Sequence, residues 1–172
     1  MSEAARGLPL HSEDLLLGGR LRLRQPTSGY RVAIDPVFLA AAVPAGPRDA
    51  VLDVGCGVGA AALCLAARVP GCRVTGVEVQ RDLVRLAGDN IVLNELSAQV
   101  SVMQGDLLNL PPRLAPGAFD HVMANPPFLE AGSATAPADP GKATANVEGG
   151  ANLAAWVRIA LAMVRAKGSL SF

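Results

Sequence analysis

The stretch Asp53-Val54-Gly55-Cys56-Gly57-Val58-Gly59 constrains the fold more than any other part of this chain. It closes the apolar run 50–54 and precedes the Ala/Leu-rich segment 60–68. A continuous apolar run that ends in glycines and leads into a helix is the pattern of a buried parallel strand. Three glycines at alternate positions let the backbone turn sharply and keep it bare of Cβ atoms, so a ligand can come close. The helix that follows points its N-terminus at that ligand. A dinucleotide fold would seat a pyrophosphate on Gly-x-Gly-x-x-Gly. Here the spacing is Gly-x-Gly-x-Gly, with Asp53 two residues ahead of Gly55. A carboxylate there repels a pyrophosphate and attracts an ammonium. The loop therefore suits an amino-acid-bearing cofactor better than a nicotinamide dinucleotide.

The rest of the chain alternates strand and helix. Strands are expected at 73–77, 99–103 and 119–124, helices at 60–68, 82–96 and 153–165, and a last strand from 168 onward. This alternation specifies an α/β fold with a Rossmann-like, doubly wound, mostly parallel sheet and helices on both faces. Ligands in such sheets bind beyond the carboxyl ends of the strands. Upstream, Arg20-Leu21-Arg22-Leu23-Arg24 alternates strictly, which predicts a half-buried strand with its leucines inward. Its arginines either shield an exposed edge or form a phosphate-contacting stripe. Asp35-Pro36 reads as the N-cap and first position of a helix over 36–43. Residues 1–19 are expected to be a flexible lead-in, and 20–172 a single domain.

Three further strand ends carry chemistry. Glu78, about twenty residues after the glycine loop, can accept the hydroxyls of a ribose, in any nucleoside-binding fold. Asp106, in Gly105-Asp106-Leu107, can accept from an adenine amino group while Leu107 lies against the ring; an acid there also serves as an ordinary turn residue. Asn125-Pro126-Pro127-Phe128 ends the strand 119–124. Two prolines fix the backbone and remove two donors, leaving the Asn125 side-chain oxygen and the Pro126 carbonyl as acceptors. Two acceptors converging on one planar NH₂ favour the geometry in which nitrogen becomes nucleophilic toward a methylsulfonium. Phe128 offers a face on which an extruded base can stack.

Taken in order, the glycine loop, the Glu78 strand end, Gly105-Asp106-Leu107-Leu108 and Asn125-Pro126-Pro127-Phe128 resemble the class I methyltransferases that carry the small-domain Asn-Pro-Pro-aromatic motif. The upstream Gly29-Tyr30-Arg31-Val32-Ala33-Ile34-Asp35-Pro36 is similar to one branch, the bacterial tRNA adenine-N6 methyltransferases that modify an anticodon-loop-adjacent adenine of a valine tRNA. The likeness runs from about residue 17 to 172 and includes a post-motif loop around Lys142-Ala143-Thr144-Ala145 and Glu148. It implies S-adenosyl-L-methionine as cofactor, with its methionine end at Asp53, Gly55 and Gly57, its ribose at Glu78 and its adenine at Asp106 and Leu107. It implies that Asn125, Pro126, Pro127 and Phe128 hold the target amine, that Asn125 also borders the cofactor, and that Tyr30 and Asp35 close over it. It implies an RNA substrate, most directly a tRNA. Guanine N2 in rRNA, a protein glutamine amide, or cofactor binding without turnover are the alternatives. The family's sheet has seven strands; here the sixth and seventh are missing, which leaves the fifth exposed along one edge and open to self-association.

Composition adds exclusions. Fifteen basic and fifteen acidic residues cancel, so the chain is not a generally basic nucleic-acid binder, although Arg20, Arg22, Arg24 and Arg31 could form a local patch. Three cysteines (56, 64 and 72) match no paired-thiolate metal spacing and read as reduced thiols of a cytoplasmic protein; no metal is expected. The first ten residues lack the apolar region of a signal peptide, and no apolar run is long enough to span a bilayer.

Overall fold

A computed structural model describes residues 10–29, 31–126 and 152–172. The chain enters as an antiparallel hairpin of β1 (His11–Leu16) and β2 (Leu21–Pro26), then forms α1 (Asp35–Ala42). A repeating strand–helix pattern follows: β3 (Ala50–Val54), α2 (Ala60–Arg68), β4 (Arg73–Glu78), α3 (Arg81–Leu93) and β5 (Val100–Gln104). The second half holds β6 (Phe119–Ala124), a helix α4 (Leu153–Met163) and β7 (Val164–Ser171).

Five of these strands make one sheet in the order β5-β4-β3-β6-β7, and every neighbouring pair is parallel. The order reverses between β3 and β6, the place where chains of this kind open a crevice for a ligand. Both faces are covered. On one, α1, α2 and α3 pack with the hairpin leucines Leu21 and Leu23 in a single apolar cluster. On the other, Trp156, Ala160 and Met163 of α4 pack with Leu107 and Leu114 against Leu52, Val54 and Val122. Cover on both sides explains why Val51 to Val54 are buried at successive positions. It also explains why α2, enclosed by the sheet, α1 and β2, is buried from Ala60 through Ala66 rather than along one stripe.

The α/β, mostly parallel architecture is as expected, and the five core strands are all present; with the hairpin, the described residues hold seven strands. Several expectations change in detail. The supposed lead-in is, from His11, a strand in register with β2, with Glu13 opposite Arg24 and Leu16 opposite Leu21. Asp35 is the first residue of α1 rather than its cap, and its side chain makes no capping bond. The last helix stops at Met163, because Val164 already pairs with Phe119; the strand then bulges before Ser169 pairs with His121.

Leu23 is fully buried among residues of the main core. Leu23→Ala is expected to lower the unfolding free energy by about 2–5 kcal/mol, read from urea titrations. A loss below about 1 kcal/mol would show that the hairpin is only loosely attached.

Candidate functional site

Val54 pairs with Ala124 in the β3–β6 ladder, so the glycine loop and Asn125-Pro126 leave the sheet side by side at the switch point. Gly55, Gly57 and Gly59 have φ of 69°, 56° and 86°, the left-handed region that side chains disfavour. Gly55 is needed twice over. A Cβ there would lie 2.5 Å from the Trp156 ring of α4. Gly57 is different: among the described residues nothing lies within 4 Å of where its Cβ would be, so they leave this part of the loop open.

The end of β4 holds this loop in place. The Val77 carbonyl accepts from the N–H groups of Gly55 (2.8 Å) and Cys56 (3.0 Å). The buried Glu78 carboxylate accepts from Gly57 N–H at 3.0 Å through one oxygen and from Gln80 N–H at 2.9 Å through the other. The Glu78 carbonyl accepts from Gly105 N–H at 3.0 Å, which draws in the turn after β5.

Asp53 is buried on the same edge, and its Oδ2 has no hydrogen-bond partner among the described residues. Burial pushes its carboxyl up to about 7; the Ala62 backbone N–H in the first turn of α2 opposes the shift, and the negative charge of Glu78 adds to it. An acid in this state is costly to ionise alone and is well matched to a ligand that brings a cation. The donors and acceptors fit an amino-acid nucleoside: an orphaned buried carboxylate for an ammonium, a bare glycine loop, and a second carboxylate at the next strand end.

The other expected residues divide. Leu107 is buried in the core beneath the edge, while Asp106 is exposed and uses Oδ1 to accept from Leu108 N–H at 2.8 Å within its own turn. Asn125 and Pro126 are half-buried at the end of β6. Asp35 stands exposed on α1, outside the sheet. Tyr30, Pro127, Phe128 and the 142–148 loop lie outside the described residues. The arginines favour the shielding role: Arg22 and Arg24 pair with Glu13 at 2.7 and 3.4 Å, Arg31 with Asp14 at 2.9 Å, and Arg20 donates to the Ala67 carbonyl at 3.4 Å. Two contributors escaped sequence reasoning. Trp156 packs on Gly55, and Asn90 of α3 donates to the Val58 carbonyl inside the loop at 3.0 Å. A polar residue on the buried face of α3, at helical spacing from Leu86 and Ala87, was the available signal for Asn90.

The sequence profile of the methyltransferase small domain matches residues 30–138, well over half of the chain. The chain belongs to this methyltransferase family. Among curated relatives, the tRNA1(Val) (adenine(37)-N6)-methyltransferase of Porphyromonas gingivalis is 31% identical over 123 residues, covering 68% of this chain and 48% of the relative. The enzyme of that name from Yersinia pestis is 30% identical over 129 residues, covering 72% and 52%. The chain thus spans about half the length of the curated relatives it matches. A predicted O-methyltransferase from Agrobacterium tumefaciens shares the fold, with a TM-score of 0.59 at 23% identity over 78% of this chain and 58% of that one. No helix among the described residues of this methyltransferase-family chain is long and apolar enough to cross a membrane.

Asp53 also sets a pH dependence. Its unfolded value is near 3.8 and its folded value about 7, so between these the folded state holds a proton that the unfolded state has lost. Its contribution to stability is complete below the lower value and is lost as pH rises through the upper one. Chemical denaturation of the ligand-free protein at pH 5 and pH 8 should show the native chain losing stability toward pH 8. In Asp53→Asn that loss should shrink; an unchanged loss would mean that Asp53 is ionised at neutral pH.

Proposed function

We propose that this chain is the S-adenosyl-L-methionine-binding core of an N-methyltransferase acting on RNA, most directly on an adenine N6 of a tRNA. One observation carries the cofactor reading: the buried Asp53 oxygen without a partner, set beside a glycine loop that is open at Gly57. Family membership and the names of the curated relatives support the reaction and the substrate class.

In this reading Asp53 receives the cofactor's ammonium, the backbone at Gly57 admits its amino-acid end, and the Glu78 carboxylate at the end of β4 accepts from the ribose. Leu107 supplies an apolar wall, and Asp106 accepts from the adenine with the oxygen its own turn does not use. The bound cofactor supplies an electrophilic methyl group on a positively charged sulfur. Asn125 Oδ1 and the Pro126 carbonyl accept from the two N–H groups of the target amine and aim its lone pair at that methyl, while Phe128 stacks on the extruded base. With the amine held in this way, the surplus proton of the methylated nitrogen would leave to water. No side chain has to act as a strong base, so the work of the site is orientation.

Calorimetric titration of the 172-residue chain with S-adenosyl-L-methionine is expected to show one-site binding that weakens at least about tenfold in Asp53→Ala, the scale of a lost charge-assisted hydrogen bond. Because Asp53 must ionise to pair with an ammonium, binding at pH 6 should release protons and tighten toward pH 7.5. Buffers of different ionisation enthalpy measure that release. With labelled cofactor, methyl transfer should appear on unmodified tRNA and vanish in Asn125→Ala. Label on rRNA or protein instead would redirect the substrate assignment, and cofactor binding with no transfer to any of them would leave a binding module.

A further inference from the structure

Asn90 is completely buried in the described core, and its three side-chain hydrogen bonds are directed at two separate pieces of backbone. Its Oδ1 accepts from Arg24 N–H at 2.7 Å, and its Nδ2 donates to the Arg24 carbonyl at 2.8 Å. The second Nδ2 proton goes to the Val58 carbonyl at 3.0 Å, between Gly57 and Gly59. One turn along α3, Asn94 repeats the first half of this pattern: Oδ1 accepts from Arg22 N–H at 2.9 Å and Nδ2 donates to the Arg22 carbonyl at 2.7 Å. Its remaining proton stays within the helix, on the Asn90 carbonyl at 2.7 Å.

The pairing works because the two repeats nearly match. Four residues of helix rise about 6 Å, and two residues of strand about 6.6 Å. Side chains at i and i+4 of α3 therefore meet alternate residues of β2, and α3 presents amides to that strand as a neighbouring strand would. Both asparagines hold the hairpin; only Asn90 also holds the glycine loop.

We propose that Asn90 is a positioning residue for the cofactor loop, and that through it the contact of hairpin residue Arg24 with α3 is coupled to cofactor affinity. The loop half of this statement is a property of the protein alone. The affinity half rests on the S-adenosyl-L-methionine reading above. The loop gains from such a tie because three of its five residues are left-handed glycines, which leaves only the buried Cys56 and Val58 to fix its shape through side chains. Freed from Asn90, the Val58 carbonyl can turn and carry the Gly57 N–H away from Glu78. The hairpin then acts on the site without touching it: whatever lifts Arg24 from α3 withdraws the partner that keeps the Asn90 amide aimed at Val58.

The test compares Asn90→Ala with Asn94→Ala in the 172-residue chain. Each removes two bonds to β2, but only the first removes the bond to the loop. Hydrogen exchange read by peptide mass spectrometry is expected to speed up in the β2 peptide of both variants, and in the peptide spanning residues 55–63 only in Asn90→Ala. Cofactor affinity, followed through the fluorescence of the single tryptophan, Trp156, is expected to fall at least tenfold in Asn90→Ala and less than threefold in Asn94→Ala. If Asn90→Ala does not fold, Asn90→Ser, which keeps one polar group at the position, is held to the same comparison. Loop exchange that stays at the native rate without Asn90, or rises equally without Asn94, overturns the proposal. The exchange needs no ligand, so a chain that fails to bind S-adenosyl-L-methionine still decides the loop tie. A chain that binds it with undiminished affinity in Asn90→Ala refutes the coupling and leaves the cofactor reading standing.

Discussion

Four backbone N–H groups from two different loops converge on the last two residues of β4, and the site hangs from them. Gly55 and Cys56 donate to the Val77 carbonyl, Gly57 to the Glu78 carboxylate, and Gly105 to the Glu78 carbonyl. Neither loop has a regular structure to satisfy these groups, and a buried N–H without a partner is costly. The edge of one buried strand therefore does for the loops what a ladder does for strands. Glu78 shapes the protein as a result: its carboxylate holds Gly57 on one oxygen and Gln80 on the other.

A different tension sits one strand over. Asp53 is buried, half satisfied and close to the negative Glu78, an arrangement that folding alone would not favour. The enclosing sheet, α1, α2 and α3 bury enough apolar surface to tolerate it. Such a group is most economically explained as stability given up for binding: a cation arriving at Asp53 relieves both the missing partner and the repulsion from Glu78.

The sequence was most readable where one element answers to one rule. The run 50–54 ending in Gly-x-Gly-x-Gly gave β3, the loop and α2 with their observed limits, because apolar continuity, left-handed glycines and an Ala/Leu helix are each local signals. The strand over 119–124 was legible for the same reason. The hairpin was half legible: alternation in Arg20–Arg24 exposed β2, but His11–Leu16, with its acids, reads as polar coil until the arginines opposite are known. The role of those arginines was decided by Glu13 and Asp14 across the hairpin, a pairing that no spacing along the chain reveals. Trp156 on Gly55 and Asn90 on Val58 join positions far apart in sequence, and such contacts can be known only once the sheet order is fixed.

The pairing of Val54 with Ala124 has a consequence for tolerance to change. Two adjacent parallel strands lie about 4.8 Å apart, and the glycine loop and the Asn-Pro segment start from the two sides of the last rung of that ladder. Their separation at the root is thus a dimension of the sheet, not of either loop. The sheet behaves as a fixed gauge: insertions, deletions and substitutions farther out can reshape each loop while the gap between their origins stays the same. A family built on such a gauge can exchange one acceptor for another without redesigning the distance across which a group must pass.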